Sequence, residues 1–167
     1  MDYCLYKKES YIVDPTNASG YEILKFNPTI RRLFLECEEN RDAHTIFFRV
    51  YISLLTKNKT RIYLALNSKR KVIHTAYVIP HNFKYPFLGA NEFAIGPCCT
   101  EESFRGNGVY PMVLNYITNT NEDQLFYMFI RKENKASIRG VEKAGFKRCD
   151  CNIKGTRFLN RFIKIDN

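Results

Sequence analysis

The residues Cys98-Cys99-Thr100-Glu101-Glu102-Ser103-Phe104-Arg105-Gly106-Asn107-Gly108-Val109-Tyr110 have the types and spacing of an anion site. An extended run ends at Thr100, a turn carries Gly106 and Gly108, and a helical apolar pattern starts at once with Val109, Met112, Val113, Tyr116 and Ile117. Such a turn aims consecutive backbone N–H groups and the positive end of a helix at one point, which suits a pyrophosphate. Gly106 and Gly108 allow a close approach that a Cβ would block, and Arg105 adds a permanent positive charge. No Gly-Lys-Ser/Thr follows, so this is not a nucleotide P-loop. The glycines are too few, and the preceding strand too late in the chain, for a dinucleotide fingerprint. A plain strand–turn–helix junction also uses glycine, so the stretch by itself leaves both readings open.

The elements that must hold this turn follow from hydrophobic period. Tyr21 to Phe26 reads as a strand after a turn cluster that closes residues 1–20, an N-terminal extension. Pro28, with Asn27 as cap, opens a helix carrying Ile30, Leu33, Phe34 and Cys37. Phe47, Val50, Tyr51, Leu54 and Leu55 form a stripe that should face the core of a second helix, from Ala43 to Lys57. Arg61 to Leu66 and Val72 to Ile79 then alternate as strands joined by Asn67-Ser68-Lys69-Arg70. Glu92 to Thr100 and Leu125 to Ile130 are further strands, and Lys135 to Ala144 is a helix stopped by Gly145. Phe146 to Ile153 and Arg157 to Ile165 close the chain around Gly155. The order β-α-α-β-β-β-α-β-α-β-β is an α/β fold with one mixed central sheet, read as a single domain over residues 1–167.

Composition bounds the function. The 167 residues are 45% hydrophobic and 26% charged, a globular balance. No apolar run approaches the ~18 residues of a membrane span, and the N-terminus has no signal-peptide pattern, so the cytoplasm is the expected compartment and no membrane partner is expected. The formal charge is +9. From Arg131 to the C-terminus, 11 Lys or Arg against 4 Asp or Glu leave +7, which suits an anionic partner. Eleven tyrosines and the positive charge could also suit nucleic acid, but no nucleic-acid-binding motif accompanies them, and none is expected to bind. Six cysteines in a reducing compartment read as free thiols. None sits in a C-x-x-C; Cys98 and Cys99 would face opposite ways on a strand, whereas Cys149 and Cys151 would share a face. With His44, His74 and His81 as the sole histidines, no metal-site spacing emerges.

Phe104-Arg105-Gly106-Asn107-Gly108-Val109 resembles the acyl-CoA pyrophosphate loop of the GNAT acyltransferase superfamily, Arg/Gln-x-x-Gly-x-Gly/Ala. Asn134-Lys135-Ala136-Ser137, continuing to Lys143-Ala144-Gly145-Phe146, is similar to that family's Asn-x-x-Ala/Ser and Lys-x-Gly-Phe pattern. One helix and one strand separate the two, and the element order from Tyr21 to Ile165 agrees, so the resemblance covers nearly the whole chain. It implies a mostly antiparallel sheet flanked by helices, splayed between the fourth and fifth strands counted from Tyr21. It also implies acetyl-CoA as cosubstrate, with Arg105, Gly106, Asn107, Gly108, Val109 and Tyr110 cradling the diphosphate. The main chain of Cys98, Cys99 and Thr100 would hold the pantetheine arm and stabilise an oxyanion. Asn134, Ser137 and Lys143 would reach the coenzyme, although Asn134 also reads as a plain helix cap.

The activity implied is transfer of an acetyl group to a small amine or a protein amine by direct attack, with no covalent cysteine intermediate. A homodimer is compatible with it. Glu92, where several family members keep a basic glutamate, is the candidate base; an ordinary solvent-facing glutamate is the other reading. Two departures stand out. Tyr110 replaces the loop's last small residue. Val141 occupies the position, seven residues after the asparagine, where many members carry a tyrosine that protonates the leaving thiolate. Tyr63, Tyr77, Tyr110 and Tyr127 are alternatives that sequence does not separate, and restoring a tyrosine at position 141 should raise turnover if the phenol fits. Val141 also keeps a second reading open, a non-catalytic module of the same fold that binds or senses acyl-CoA.

Overall fold

A computed structural model describes residues 2–10, 20–28, 43–149, 152–155 and 162–165. In chain order the elements are β1 (Asp2–Glu9), β2 (Glu22–Phe26), α1 (Ala43–Leu55), β3 (Arg61–Leu66), β4 (Val72–Pro80), β5 (Glu92–Thr100), α2 (Val109–Asn119), β6 (Leu125–Arg131), α3 (Lys135–Lys143), β7 (Lys147–Arg148), β8 (Asn152–Gly155) and β9 (Phe162–Ile165). The helix expected to open at Pro28 and run through Cys37 lies outside the described residues beyond Pro28 itself, as does Cys151. No helix among the described residues is long and apolar enough to cross a membrane.

The strands make one sheet in the order β2-β3-β4-β5-β6-β1-β8-β9, with β7 also on β1. All of its pairings are antiparallel except β5 with β6. The turn between β3 and β4 is built by Asn67, whose side chain accepts from the N–H groups of Lys69 (3.0 Å) and Lys71 (2.9 Å). One face of the sheet packs Tyr63, Ala76, Ile95, Phe126 and Met128 against Val113, Leu114 and Ile117 of α2 and Val141 of α3. The other packs Ile62, Leu64, Tyr77 and Ala94 against Ile52 of α1 and against Tyr85 and Leu88 of the β4–β5 loop. Truncating one of the larger of these buried side chains, such as Leu64 or Phe126, to alanine costs a few kcal/mol.

The first strand corrects the reading of residues 1–20 as an extension. Asp2–Glu9 lies inside the sheet, pairing with β6 from Tyr3↔Arg131 to Glu9↔Leu125, and with β7 and β8 on its other edge. Both its faces are covered: Cys4 and Tyr6 join the α2–α3 side and Leu5 the α1 side. A strand buried on both faces loses apolar–polar alternation, so a run as short as Tyr3–Tyr6 carries no period. Lys8 ties it to both neighbouring helices, donating to Asn115 Oδ1 (2.9 Å) and to the Ala144 carbonyl (2.8 Å) at the end of α3. That helix stops as expected at Gly145, at φ 80°, with Gly145 N–H on Glu142 O (2.9 Å) and Phe146 N–H on Val141 O (3.2 Å).

Two further expectations change. The apolar stripe of α1 faces outward: Phe47 and Leu54 are about 70% exposed (70% and 72%), whereas Arg49 and Ile52 are buried. Polar groups with partners can be buried, and these are partnered. The Arg49 guanidinium lies 5.5 Å over the Phe26 ring, Ser53 donates to the Pro28 carbonyl (2.6 Å) and Thr56 to that of Ile52 (2.7 Å). At the C-terminus, the strand expected from Phe146 to Ile153 is broken into β7 and β8, and Gly155 pairs with Phe162 at the end of the β8–β9 ladder.

Candidate functional site

The site begins where two parallel strands part. β5 and β6 pair at Glu92↔Leu125, Phe93↔Phe126 and Ala94↔Tyr127, and no further. The next step of β5 shifts register against β4, which pairs Val78 with Ile95 but Ala76 with Cys98. The bulge therefore holds Gly96 and Pro97, and bulges bend the strand that carries them. Counted from Glu22 these are the fourth and fifth strands, and the splay falls between them as expected. From Ile95 to Thr100 the β6-facing edge of β5 has no strand partner among the described residues.

The open end of this cleft meets the glycine turn. A short 3₁₀ turn at Glu102–Phe104 leads to Arg105, whose Nε donates back to the Thr100 carbonyl (3.2 Å). Gly106 and Gly108 have φ of 81° and 77°, a region that side chains avoid. A Cβ built on either would meet no atom within 4 Å, so packing does not require glycine there and the space beside each is open. The first intrahelical bond of α2 runs from Met112 N–H to Gly108 O (3.1 Å). The N–H groups of residues 106–110 lie ahead of it, as a cradle requires. Val109 anchors the turn with a buried side chain and can offer only its backbone; Asn107 is exposed. Glu101 is drawn off to Lys71 (2.8 Å), and Glu102 is exposed.

The start of α3 lies at the same end, after β6. Asn134 Oδ1 accepts from Ser137 N–H (3.1 Å), so the asparagine is a helix cap. Arg131, Lys132, Lys135 and Arg139 are exposed around it with one acid, Glu133. Part of the C-terminal charge excess is thus gathered beside the cradle. Lys143 is not: it sits in the last turn of α3, about 12 Å along the axis from Lys135.

Beneath the splay lies a cluster that sequence spacing did not indicate. Cys98 is half-buried and Cys99 exposed, on opposite faces as expected. Burial pushes the Cys98 thiol up to about 12, which leaves it protonated at neutral pH and unsuited to nucleophilic attack. His74 is buried; its Nδ1 bonds Thr100 Oγ1 (2.7 Å), its Nε2 has no partner among the described residues, and its ring lies 5.7 Å from that of Tyr110. Desolvation holds His74 down at about 4 instead of 6.5. Above pH 6.5 the residue is neutral folded or unfolded. Below it the unfolded chain takes up a proton that the folded protein refuses until about pH 4. Stability should therefore fall across that window by roughly 3 kcal/mol from this residue alone. Denaturant melts from pH 7 to 4 check this, and His74→Gln should flatten the slope; an unchanged slope would exclude His74 as its source.

At the closed end of the cleft, Glu92 Oε1 accepts from the Tyr127 hydroxyl (3.0 Å) and Oε2 from Gly89 N–H (2.7 Å). The carboxylate is thus held by β6 on one side and the β4–β5 loop on the other. Gly89 and Phe93 also line a cavity of about 890 Å³ whose other walls include Lys57, Lys59, Arg61 and His81 and, among the described residues, no carboxylate. Its volume fits a small molecule. Among the described residues no three His, Cys, Asp or Glu side chains gather as a metal site would need.

Solved structures share this architecture. A functionally unknown conserved protein from Staphylococcus epidermidis matches with TM-score 0.60 and 11% identity, over 89% of this chain and 57% of that one. A GNAT-family acetyltransferase from Colwellia psychrerythraea gives 0.59 and 14%, over 89% and 53%. Glucosamine-6-phosphate N-acetyltransferase from Arabidopsis thaliana gives 0.53 and 15%, over 83% and 98%. The chain spans little more than half the length of the first two. No family model and no curated protein matches the sequence. The fold is that of the GNAT acetyltransferases.

Proposed function

We propose that the protein is an N-acetyltransferase that moves an acetyl group from acetyl-CoA to a primary amine by direct attack. The observation that carries the reading is the splay of β5 from β6 opening onto a helix start whose two glycines leave their Cβ space empty. In this reading the N–H groups from Gly106 to Tyr110 bind the diphosphate, with Arg105 adding charge. Arg131, Lys132, Lys135 and Arg139 meet the rest of the polyanion. The free edge of β5 at Cys98 and Thr100 pairs with the pantetheine amides as an added strand would. Ser137, half-buried in the first turn of α3, touches the arm in this reading, and Asn134 serves by setting that turn.

Glu92 takes a proton from the attacking nitrogen, directly or through water, while Tyr127 and Gly89 keep the carboxylate in place. A backbone N–H of β5 near Cys98 or Cys99 stabilises the charge that develops on the carbonyl oxygen. The basic cavity beside Gly89 receives the acceptor.

Acetyl-CoA at 100 times its Kd should stabilise the fold by about 2.7 kcal/mol. Screening small amines and peptide amines with acetyl-CoA, while following free thiol, should then find an acceptor. The absence of a melting shift at millimolar acetyl-CoA would sink the reading. A shift with no amine acetylated would leave a coenzyme-binding module of the same fold.

A further inference from the structure

The ring of Tyr110 leaves the first turn of α2 and passes beneath the splay. Its hydroxyl reaches Met128 Sδ at 3.8 Å, on the first residue of β6 beyond the last β5–β6 pair. It lies in the same packed cluster as Cys98, on the facing stretch of β5, and the two interact electrostatically. The ring is admitted by a glycine. A Cβ on Gly140 of α3 would stand 2.6 Å from Tyr110 Cδ1 and 2.9 Å from Cε1, closer than carbon atoms approach. Val141 next to it is fully buried in the same cluster and carries no proton to give.

We propose that Tyr110 is the proton donor to the departing thiolate, delivered from α2 to the point where β5 and β6 part. The proposal rests on the transferase reading above. In the step, the amine nitrogen forms its bond to the carbonyl carbon and loses one proton to Glu92. The carbon–sulfur bond breaks with its electron pair going to sulfur, and the Tyr110 phenol gives its proton to that sulfur. Glu92 returns its proton to solvent and the phenolate takes one back, so the net change is one proton moved from nitrogen to sulfur.

Burial fixes the resting protonation state of the phenol. It raises the phenol above its usual range, so Tyr110 is protonated throughout the pH range of activity. The same burial makes the phenol a weaker acid, so the proton moves only as the carbon–sulfur bond breaks and charge builds on sulfur. The titratable groups facing the hydroxyl are His74 from β4 and Cys98 from β5; β6 and α3 present Met128 and Gly140.

The test is Tyr110→Phe, which keeps the ring on Gly140 and removes the proton. With acetyl-CoA and an accepted amine, kcat should fall on the order of 10²-fold while the acetyl-CoA melting shift stays at the wild-type value. With an acetyl thioester of a more acidic aryl thiol, which leaves without a proton, the loss should shrink to a few-fold. A merely structural role would not produce that leaving-group dependence. Gly140→Ala displaces the hydroxyl without deleting it and should show the same dependence. If wild-type protein turns over and Tyr110→Phe equals or exceeds it, or loses equally with both donors, the proposal is overturned and the transferase reading stands. A wild-type protein that binds acetyl-CoA and acetylates no amine overturns both.

Discussion

Gly108→Val is expected to abolish the melting shift that acetyl-CoA gives the wild-type protein while leaving the domain folded. Gly108 is the N-cap of α2 at φ 77°, and Val109 immediately after it anchors the helix in the core. A β-branched residue at that φ costs about 1–3 kcal/mol of strain, which lowers the melting temperature of the free protein. Of the added carbons, the Cβ meets no described atom within 4 Å. They do fill the space above the N–H groups of residues 106–110, which an anion needs to approach. Two measurements separate these effects: the melt without ligand reads the strain, and the increment with acetyl-CoA reads the cradle. A folded Gly108→Val protein that keeps the full increment would place the coenzyme elsewhere.

Glu92→Gln should lower kcat by about 10²- to 10⁴-fold at pH 7 and by much less at pH 9. An unperturbed alkylammonium acceptor costs about 4.6 kcal/mol to deprotonate at pH 7, and each pH unit removes about 1.4 kcal/mol of that. A base therefore matters most where the amine is charged. Glutamine retains an oxygen for the Gly89 N–H and leaves the Tyr127 hydroxyl a partner, so the loop should keep its place. If Glu92 only ties the β4–β5 loop to β6, the variant loses some stability and its pH–rate profile parallels that of wild type. Parallel profiles would remove Glu92 from proton transfer and leave water or the substrate in that role.

The sequence by itself determined the elements around the site. Strand, glycine turn and helix between Glu92 and Asn119 follow from local signals: a change of period, two glycines and an apolar helical face. The asparagine cap and the Gly145 stop of α3 are equally local, since each is satisfied by hydrogen bonds within five residues. Those two motifs in order were enough to anticipate the splayed sheet. Tertiary structure decided what depends on contact between distant segments. It put Asp2–Glu9 between β6 and β8, because a strand covered on both faces has no alternation to read. It turned α1 so that Arg49 faces inward, because a charge stacked on Phe26 can be buried at a position that apolar counting assigns to solvent. It also settled where the two departures lead. Val141 is closed into the core, and a tyrosine there would overpack it by roughly 1–3 kcal/mol. Tyr110 reaches the cleft because Gly140, on another helix, leaves room for its ring. No spacing within either segment encodes that fit, since it arises only when α2 and α3 pack on the same face of the sheet.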